Sequence, residues 1–111
     1  MSYEIQISHH AKDDLRSIYS YIAVQLKEPQ IAAKQYGRIK SAILTLGEMP
    51  ERHPLYTDEP WQSRGLRKFM VDNYLVFYLI DKDAHAVVIV RVMYGGRDIQ
   101  SQLESTLYTG E

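Results

Sequence analysis

The second half of the chain contains three short segments in which β-branched and aromatic residues dominate. Polar or glycine pairs interrupt them. The segments span Gly65–Val71, Tyr74–Ile80 and Ala86–Tyr94, separated by Asp72-Asn73 and Asp81–Asp83 and ended by Gly95-Gly96. Runs of this composition and length predict β-strands. Because the connections are so short, neighbouring strands must be antiparallel, so we expect a three-strand meander.

Side chains alternate between the two faces of a strand, and in these segments both sets are apolar. In the middle strand one face takes Leu75, Phe77 and Leu79, and the other takes Tyr74, Val76, Tyr78 and Ile80. In the third strand, simple alternation puts Val88, Val90, Val92 and Tyr94 opposite Val87, Ile89, Arg91 and Met93. A sheet with one solvated face would alternate apolar with polar residues. We therefore expect a cover on each face.

The first half of the chain predicts one strand followed by two helices. Tyr3–Ile7 alternates like a strand, and Ser8 is suited to cap the helix that follows. Two stripes of apolar residues then recur every three or four positions, as in amphipathic helices. Their members are Ala11, Leu15, Ile18, Ile22 and Leu26, and, after Pro29, Ala32, Tyr36, Ile39, Ile43 and Leu46. Pro29 favours a helix start, and Gly47 favours the end of the second helix.

The remaining segments predict a long loop and a short last helix. Glu48–Ser63 holds three of the four prolines and shows no periodicity, and Trp61 is the residue expected to anchor this loop. Ile99, Leu103 and Leu107 are spaced for a short terminal helix. The predicted order is β-α-α-β-β-β, an α+β fold with the helical hairpin packed on an antiparallel sheet. The 111 residues suit one domain, spanning positions 1–111.

Composition and charge narrow the function classes. The chain has no cysteine, no apolar run of membrane length and no visible signal peptide, so we expect a cytoplasmic protein without a membrane partner. Its net charge is -1, whereas dedicated nucleic-acid-binding proteins are usually basic. This balance argues against a large phosphate-binding surface.

Few residues form a pattern that would hold a metal or a cofactor. His9 and His10 are adjacent, so they point apart on a helix, and no third ligand follows at a useful spacing. The Gly95-Gly96 pair is too short for a phosphate-binding loop. We expect no metal and no cofactor.

Basic residues at three places remain as candidate site residues. Arg64, Arg67 and Lys68 lie near the start of the predicted strand Gly65–Val71. Arg91 lies inside an apolar strand, and Arg97 follows the glycine pair. A charged residue inside an apolar strand is costly unless it is paired. Arg91 therefore belongs to a buried ion pair, with Asp98 or a helix carboxylate as its partner, or it contacts an anion or a protein partner.

Three stretches of the sequence resemble the RelE/ParE family of type II toxins, over nearly the whole chain. They are ISHHAKDDLRSIYSYI, similar to the family's first helix, and GLRKFMVDNYLVFYLID and VVIVRVMYGGRDI, similar to its central strands. The resemblance implies the same β-α-α-β-β-β fold. It also implies a toxin of a plasmid stabilisation, or addiction, system in bacteria that a cognate antitoxin neutralises. One branch of the family inhibits DNA gyrase, and the other cleaves mRNA on the ribosome.

Residues that the ribonuclease branch uses are largely missing. Many of those toxins have arginine after the tyrosine of the middle strand, where this chain has Tyr74-Leu75. Histidine often precedes the glycine turn, where this chain has Tyr94, and tyrosine is a poor base at neutral pH. The distal tyrosine that some of those toxins use has no clear match, because the corresponding region of this chain reads Ile99-Gln100-Ser101. The resemblance therefore places the chain nearer the ParE branch, as a gyrase inhibitor that is not an enzyme.

The interpretation assigns candidate residues to each function. For gyrase binding we expect the region from Arg91 to Leu107, with the contact residues Arg91, Tyr94, Arg97, Asp98 and Leu103. The alternative is an mRNA endoribonuclease with Arg67, Arg91, Tyr94 and Arg97 at its active site and Arg64, Arg67 and Lys68 on phosphate. Its partners would be the ribosome and mRNA. A third possibility is a toxin-derived module that has lost toxicity and only binds its antitoxin or regulates its operon.

The surface expected to bind the antitoxin follows from the apolar faces of the sheet. One helical hairpin can cover one face, so we expect a row such as Leu75, Phe77 and Leu79, or the row with Tyr74 and Tyr78, to remain exposed. Exposed apolar patches of that size usually serve binding. We expect an antitoxin segment to lie across the sheet or along the helical hairpin, as an amphipathic helix or an added strand.

Overall fold

The computed structural model describes residues 2–95 and 99–108, with the side chains of 105–108 excepted. Its four-stranded sheet has the order β1-β4-β3-β2. The strands are β1 (Glu4–Ile7), β2 (Arg67–Val71), β3 (Tyr74–Asp81) and β4 (Ala86–Tyr94). The helices are α1 (His9–Ser20), α2 (Pro29–Leu44) and α3 (Ile99–Tyr108). The predicted α+β order, including the terminal helix, is confirmed.

The sheet consists of the predicted antiparallel meander β2-β3-β4 and one parallel strand. β1 pairs with β4 in parallel over Ala86–Ile89, so the chain must cross over through the helices before it returns. β2 begins at Arg67, two residues later than predicted. Residues around Leu55 bridge to Arg67 and shield the start of the β2 edge.

Local sequence explains where the helices begin and end. The Ser8 hydroxyl accepts a hydrogen bond from the amide of Ala11 and caps α1. Pro29 occupies the first turn of α2, where no amide hydrogen bond is lost. The α1 stripe does not continue as one α-helix to Leu26, because Tyr21–Gln25 forms a π-helical turn. α2 ends at Leu44 and tightens into a 3-10 turn over Thr45–Gly47.

The helices pack on one face of the sheet, as predicted. The core on this side, here the helix-side core, buries Leu15 of α1 and Ile39 and Ile43 of α2. From the sheet it takes Val71, Val76, Tyr78, Val87, Ile89 and Val92. Tyr78 is fully buried and its hydroxyl donates to the carbonyl oxygen of Pro50 at 2.6 Å. Burial raises the pKa of Tyr78.

The opposite face of the sheet carries a second core, so the prediction of an uncovered row across the sheet is wrong. Tyr56, Trp61 and Leu66 from the long loop and Leu103 from α3 pack there on Phe77 and Met93. Phe77 is fully buried, while Leu75 and Leu79 on either side of it are half-buried. The loop leads directly into β2 and α3 begins five residues after β4 ends, but the loop has no periodicity, so the sequence did not indicate which face of the sheet it would cover.

A β-bulge in β4 corrects the predicted faces of that strand. Phe77 pairs with Arg91, but Tyr78 pairs with Ile89, which leaves Val90 as the extra residue. Val90 packs towards the second core, whereas Val92 belongs to the helix-side core. Simple alternation placed Val88, Val90, Val92 and Tyr94 on one face. The bulge moves Val92 and Tyr94 to the face opposite Val88.

Candidate functional site

Arg91 forms a largely buried ion pair with Asp14 of α1. Its Nε donates to Asp14 Oδ2 at 2.7 Å and its Nη2 to Asp14 Oδ1 at 2.8 Å. The same carboxylate accepts the amide of Val92 at 2.9 Å. The two side chains are only 11% and 14% exposed. The predicted pairing with a helix carboxylate is confirmed, and this guanidinium is engaged by the protein itself.

Arg91 also contacts α3. Its Nη1 donates to the backbone oxygen of Gln102 at 3.2 Å, and its Nη2 lies 3.3 Å from the side-chain oxygen Oε1 of that residue. The next residue, Leu103, is buried in the second core, so its side chain anchors α3 and is not displayed on the surface. Arg91 therefore joins α1, β4 and the start of α3 at one point.

Tyr94 is the last residue of β4, and its side chain lies on the face of the sheet that carries the helices. This side chain is 51% exposed. Its ring lies edge-to-face with the ring of its cross-strand neighbour Tyr74, with 5.8 Å between the ring centroids. The pKa of the Tyr74 hydroxyl is raised, mainly by burial and further by Tyr94 and Tyr21. Tyr94 is thus part of a tyrosine cluster.

A groove of about 720 Å³ lies between this end of β4 and the helical hairpin. We call it the hairpin groove. Its apolar and aromatic lining consists of Ile18, Tyr21, Ile22, Leu26, Ile31, Tyr74, Val92, Met93 and Tyr94, with Asp14, Ser17, Arg91 and Gln102 as the polar members. Tyr21, Leu26 and Ile31 are each more than half exposed. The exposed apolar surface expected on the sheet therefore lies on the helical hairpin.

Sequence reasoning missed the hairpin residues of this groove because it assigned them to the buried stripe or left them out. The signal was present in the sequence. Tyr21, Val24 and Leu26 lie close together just before Pro29, and a helical turn cannot bury all of them on one face. The structure exposes more than half of each of these three side chains.

The other candidate cations, two on β2 and one in the loop before it, lie elsewhere in the protein. Arg67 pairs with Tyr78, so it points to the helix side, and its Nη1 donates to the backbone oxygen of His53 at 2.6 Å. Lys68 pairs with Phe77 on the opposite face, and its Nζ lies 5.0 Å from the centroid of the Tyr56 ring. Arg64 stacks over Trp61 at 5.8 Å. These three residues do not converge on one position.

Arg67 and Tyr94 are also far apart along the sheet. Their partners on β3 are Tyr78 and Tyr74, which lie four residues apart, or about 13 Å along a strand. Arg97 and Asp98 lie outside the described residues. Of the predicted site residues, the structure brings together Arg91, Tyr94 and the start of α3, and it separates them from Arg64, Arg67 and Lys68.

His53 lies beside Arg67 in the loop, stacked on Phe69 with 4.2 Å between the ring centroids. Burial, and secondarily the charge of Arg52, lowers the pKa of this imidazole. Among the described residues its ring contacts the aromatic rings of Phe69 and Tyr78. This packing indicates a structural role for His53 at the edge of the sheet.

A charged clamp fixes the turn between β2 and β3 to α2. Asp72, with a positive φ of 55°, accepts hydrogen bonds from Arg38 Nε at 2.8 Å, Arg38 Nη2 at 2.7 Å and Gln35 Nε2 at 2.9 Å. The hydrogen bonds from Arg38 and then Gln35 lower the pKa of Asp72 to about 2. The clamp holds the turn that precedes Tyr74.

Within the described ranges, no group of three or more histidine or acidic side chains is placed to hold a metal ion. No helix in the same ranges has the length and apolar character needed to cross a membrane.

One family model matches most of the chain. The family model described as the ParE toxin of the type II toxin–antitoxin system parDE matches residues 5–99. No curated protein matches significantly.

Solved structures of toxins share the fold at low sequence identity. The chromosomal ParDE system from P. aeruginosa matches with a TM-score of 0.68 and 19% identity, over 84% of this chain and 96% of that one. A free E. coli RelE mutant matches with a TM-score of 0.65 and 15% identity, over 98% and 97%. The RelBE2 toxin–antitoxin complex from Mycobacterium tuberculosis gives 0.60 and 23%, over 85% and 99%.

Proposed function

We propose that this chain, which belongs to the ParE toxin family of type II toxin–antitoxin systems, is neutralised by a cognate antitoxin and acts by binding and inhibiting DNA gyrase. The target contact would be the region from Arg91 to Leu107, with Tyr94, Arg97 and Asp98 as contact residues. Arg91 and Leu103 would act from beneath, because their side chains hold α1, β4 and α3 in place.

The observation that carries the choice of gyrase over mRNA cleavage is the dispersal of the candidate cations. Cleavage of RNA through its 2'-hydroxyl needs a base, an acid and cations around one phosphate. Arg91 is committed to Asp14, Arg67 to the backbone of His53, and Lys68 lies on the opposite face of the sheet from Tyr94. This arrangement supports a binding surface rather than a proton-transfer site.

The antitoxin part of the proposal is supported by the hairpin groove. Monomeric soluble proteins rarely expose large contiguous apolar patches unless they bind a partner. Tyr21, Leu26 and Ile31 expose such a surface next to the end of β4. Two of the three solved structures described above are themselves toxin–antitoxin systems. An antitoxin segment lying in this groove would bury these side chains.

The test is a gyrase supercoiling assay run beside a ribosome-dependent mRNA cleavage assay with the same purified protein. We expect inhibition of supercoiling and no cleavage of mRNA. Tyr94→Ala should weaken the inhibition, while Tyr19→Ala, a similarly exposed tyrosine on α1 outside the groove, should leave it unchanged.

Two other results would contradict the proposal. Cleavage of ribosome-bound mRNA that Tyr94→Phe abolishes would identify an endoribonuclease. Inactivity in both assays, by a protein that still binds its antitoxin, would identify a toxin-derived module that has lost toxicity.

A further inference from the structure

The edge of β4 is only half covered by the sheet. β1 pairs with β4 over Ala86–Ile89 and then ends, because α1 begins at His9. β4 continues for five more residues, to Tyr94. Over this second half β3 lies on one side, and no strand among the described residues lies on the other.

The hydrogen bonds of the sheet show which backbone groups point to the open side. The amide of Gly95 donates to the carbonyl oxygen of Asn73 at 2.8 Å, which makes Tyr74 and Tyr94 a non-hydrogen-bonded antiparallel pair. The amide and carbonyl of Tyr94 therefore point away from β3. Val92 has the same orientation, since orientation repeats every second residue.

Two side chains already take up part of this edge, which supports the assignment. The amide of Val92 donates to Asp14 Oδ2 at 2.9 Å, and the carbonyl of Val90 accepts from the Ser8 hydroxyl at 2.9 Å. The carbonyl of Val92 and the amide and carbonyl of Tyr94 come next. No hydrogen bond between described residues takes up these three groups.

The two residues that carry these three backbone groups belong to the lining of the hairpin groove. Val92 and Tyr94 both line it, opposite the exposed side chains of Tyr21, Leu26 and Ile31. The charge of Asp14 at the groove floor is already neutralised by Arg91. The groove thus combines an unpaired strand edge with apolar walls.

This combination selects an extended occupant. The backbone groups of a helix are bonded within the helix and cannot pair with a strand edge. An extended segment can donate to Val92 O, accept from the Tyr94 amide and donate to Tyr94 O, and its alternate side chains can contact the apolar wall.

We propose that an extended, apolar segment of the antitoxin adds as a short strand to β4 at Val92–Tyr94, beyond the contacts of Ser8 and Asp14 with this edge. The inference rests on the proposed function, because it takes the antitoxin as the partner. It goes further in naming the conformation of the bound segment and the three backbone groups that receive it.

Hydrogen exchange tests the pairing directly in the unmodified protein. In the free protein the Tyr94 amide should exchange quickly, while the Met93 amide, which bonds to β3, should be protected. On adding the cognate antitoxin, the Tyr94 amide should slow by at least about 100-fold and Met93 should remain protected. A complex in which the Tyr94 amide still exchanges quickly would overturn the added strand and leave the proposed function standing.

Failure to form any complex with the antitoxin would overturn both proposals. Protection of the Tyr94 amide in the free protein that grows with its concentration would also overturn the inference, since a second copy of the chain would then be the occupant of the edge.

A proline substitution isolates the amide from the side chain. Tyr94→Ala removes the ring but keeps the amide, and Tyr94→Pro removes both. Because this amide makes no bond to β3, proline at position 94 breaks no bond of the sheet. We expect Tyr94→Pro to bind antitoxin roughly tenfold more weakly than Tyr94→Ala, as loss of one hydrogen bond would give. Equal affinities of the two folded variants would overturn the pairing, and the exchange experiment decides if Tyr94→Pro does not fold.

Discussion

Asp14 and Arg91 are 77 positions apart in sequence, yet two pairs of their side-chain atoms lie within 2.8 Å of each other. The pair connects the first helix to the last strand, and through Gln102 it reaches the last helix. Removing one partner of such a pair destabilises the folded protein, because the other charge is left buried without compensation.

The first prediction is that Arg91→Ala strongly destabilises the protein. Loss of one member of a buried ion pair costs about 3–5 kcal/mol in the free energy of unfolding, measured here by urea denaturation. The matched control is Arg16→Ala on α1, the helix that carries Asp14. It removes an exposed ion pair with Asp13 and should cost less than about 1 kcal/mol. Equal effects of the two substitutions would show that the Asp14 pair is no stronger than a surface pair.

A second prediction concerns the helix-side core. Leu15→Ala should lower the free energy of unfolding by about 2–5 kcal/mol, because Leu15 is buried between α1 and the sheet. Leu44→Ala, at the exposed end of α2, should change it by less than about 0.5 kcal/mol. Denaturant midpoints of both variants, at an unchanged m-value, provide the comparison.

The clamp at Asp72 predicts a pH dependence. The folded-state pKa of Asp72 is lowered to about 2. Its contribution to stability is therefore fully present above the ordinary carboxylate range and is lost as the pH falls towards 2. A carboxyl NMR titration should show Asp72 ionised at pH 3, and Arg38→Ala should raise its pKa towards the ordinary value. A titration that is the same with and without Arg38 would contradict the clamp.

The hairpin groove predicts how antitoxin binding responds to mutation. Ile31→Ser should weaken the complex by about 1–2 kcal/mol without unfolding the free protein, because Ile31 is 53% exposed in the groove. Leu44→Ser is the matched control, since Leu44 is 55% exposed on the same helix but outside the groove. Isothermal titration with each variant measures the difference.

Salt dependence gives an independent prediction on the same complex. Apolar burial and backbone pairing are insensitive to ionic strength, whereas long-range attraction between exposed charges is screened within about 10 Å at 0.1 M salt. The affinity for the antitoxin should therefore fall by less than about tenfold between low and high salt. A steep loss of affinity would indicate an electrostatic interface at another surface.

Local pattern in the sequence was sufficient for most of the fold. The periods of the apolar residues predicted the three α-helices and the four strands of the described residues. Ser8, Pro29 and the Asp72-Asn73 pair marked their ends, because capping and turns depend on a few neighbouring residues. Trp61 could be recognised as an anchor but not assigned to a face, because the loop that carries it reaches the sheet through contacts that are distant in sequence.

The candidate site was less accessible to sequence reasoning. Arg91 was recognisable as a charge in an apolar strand, and a helix carboxylate was among the partners considered. The choice of Asp14 depends on where β1 ends and α1 crosses the β4 edge. The hairpin groove depends on the π-helical turn at Tyr21–Gln25, which no periodicity indicates.

The bulge at Val90 determines which changes in length β4 can accept. If Val90 were deleted, Ile89 and Arg91 would become neighbours, and every remaining residue of β4 would keep the face it now has, at the loss of the contact with Ser8. Deletion of Val92 would instead turn Met93 and Tyr94 to the wrong faces. Val90 is therefore the position at which natural variation or protein engineering can shorten this strand by one residue without exchanging the two cores.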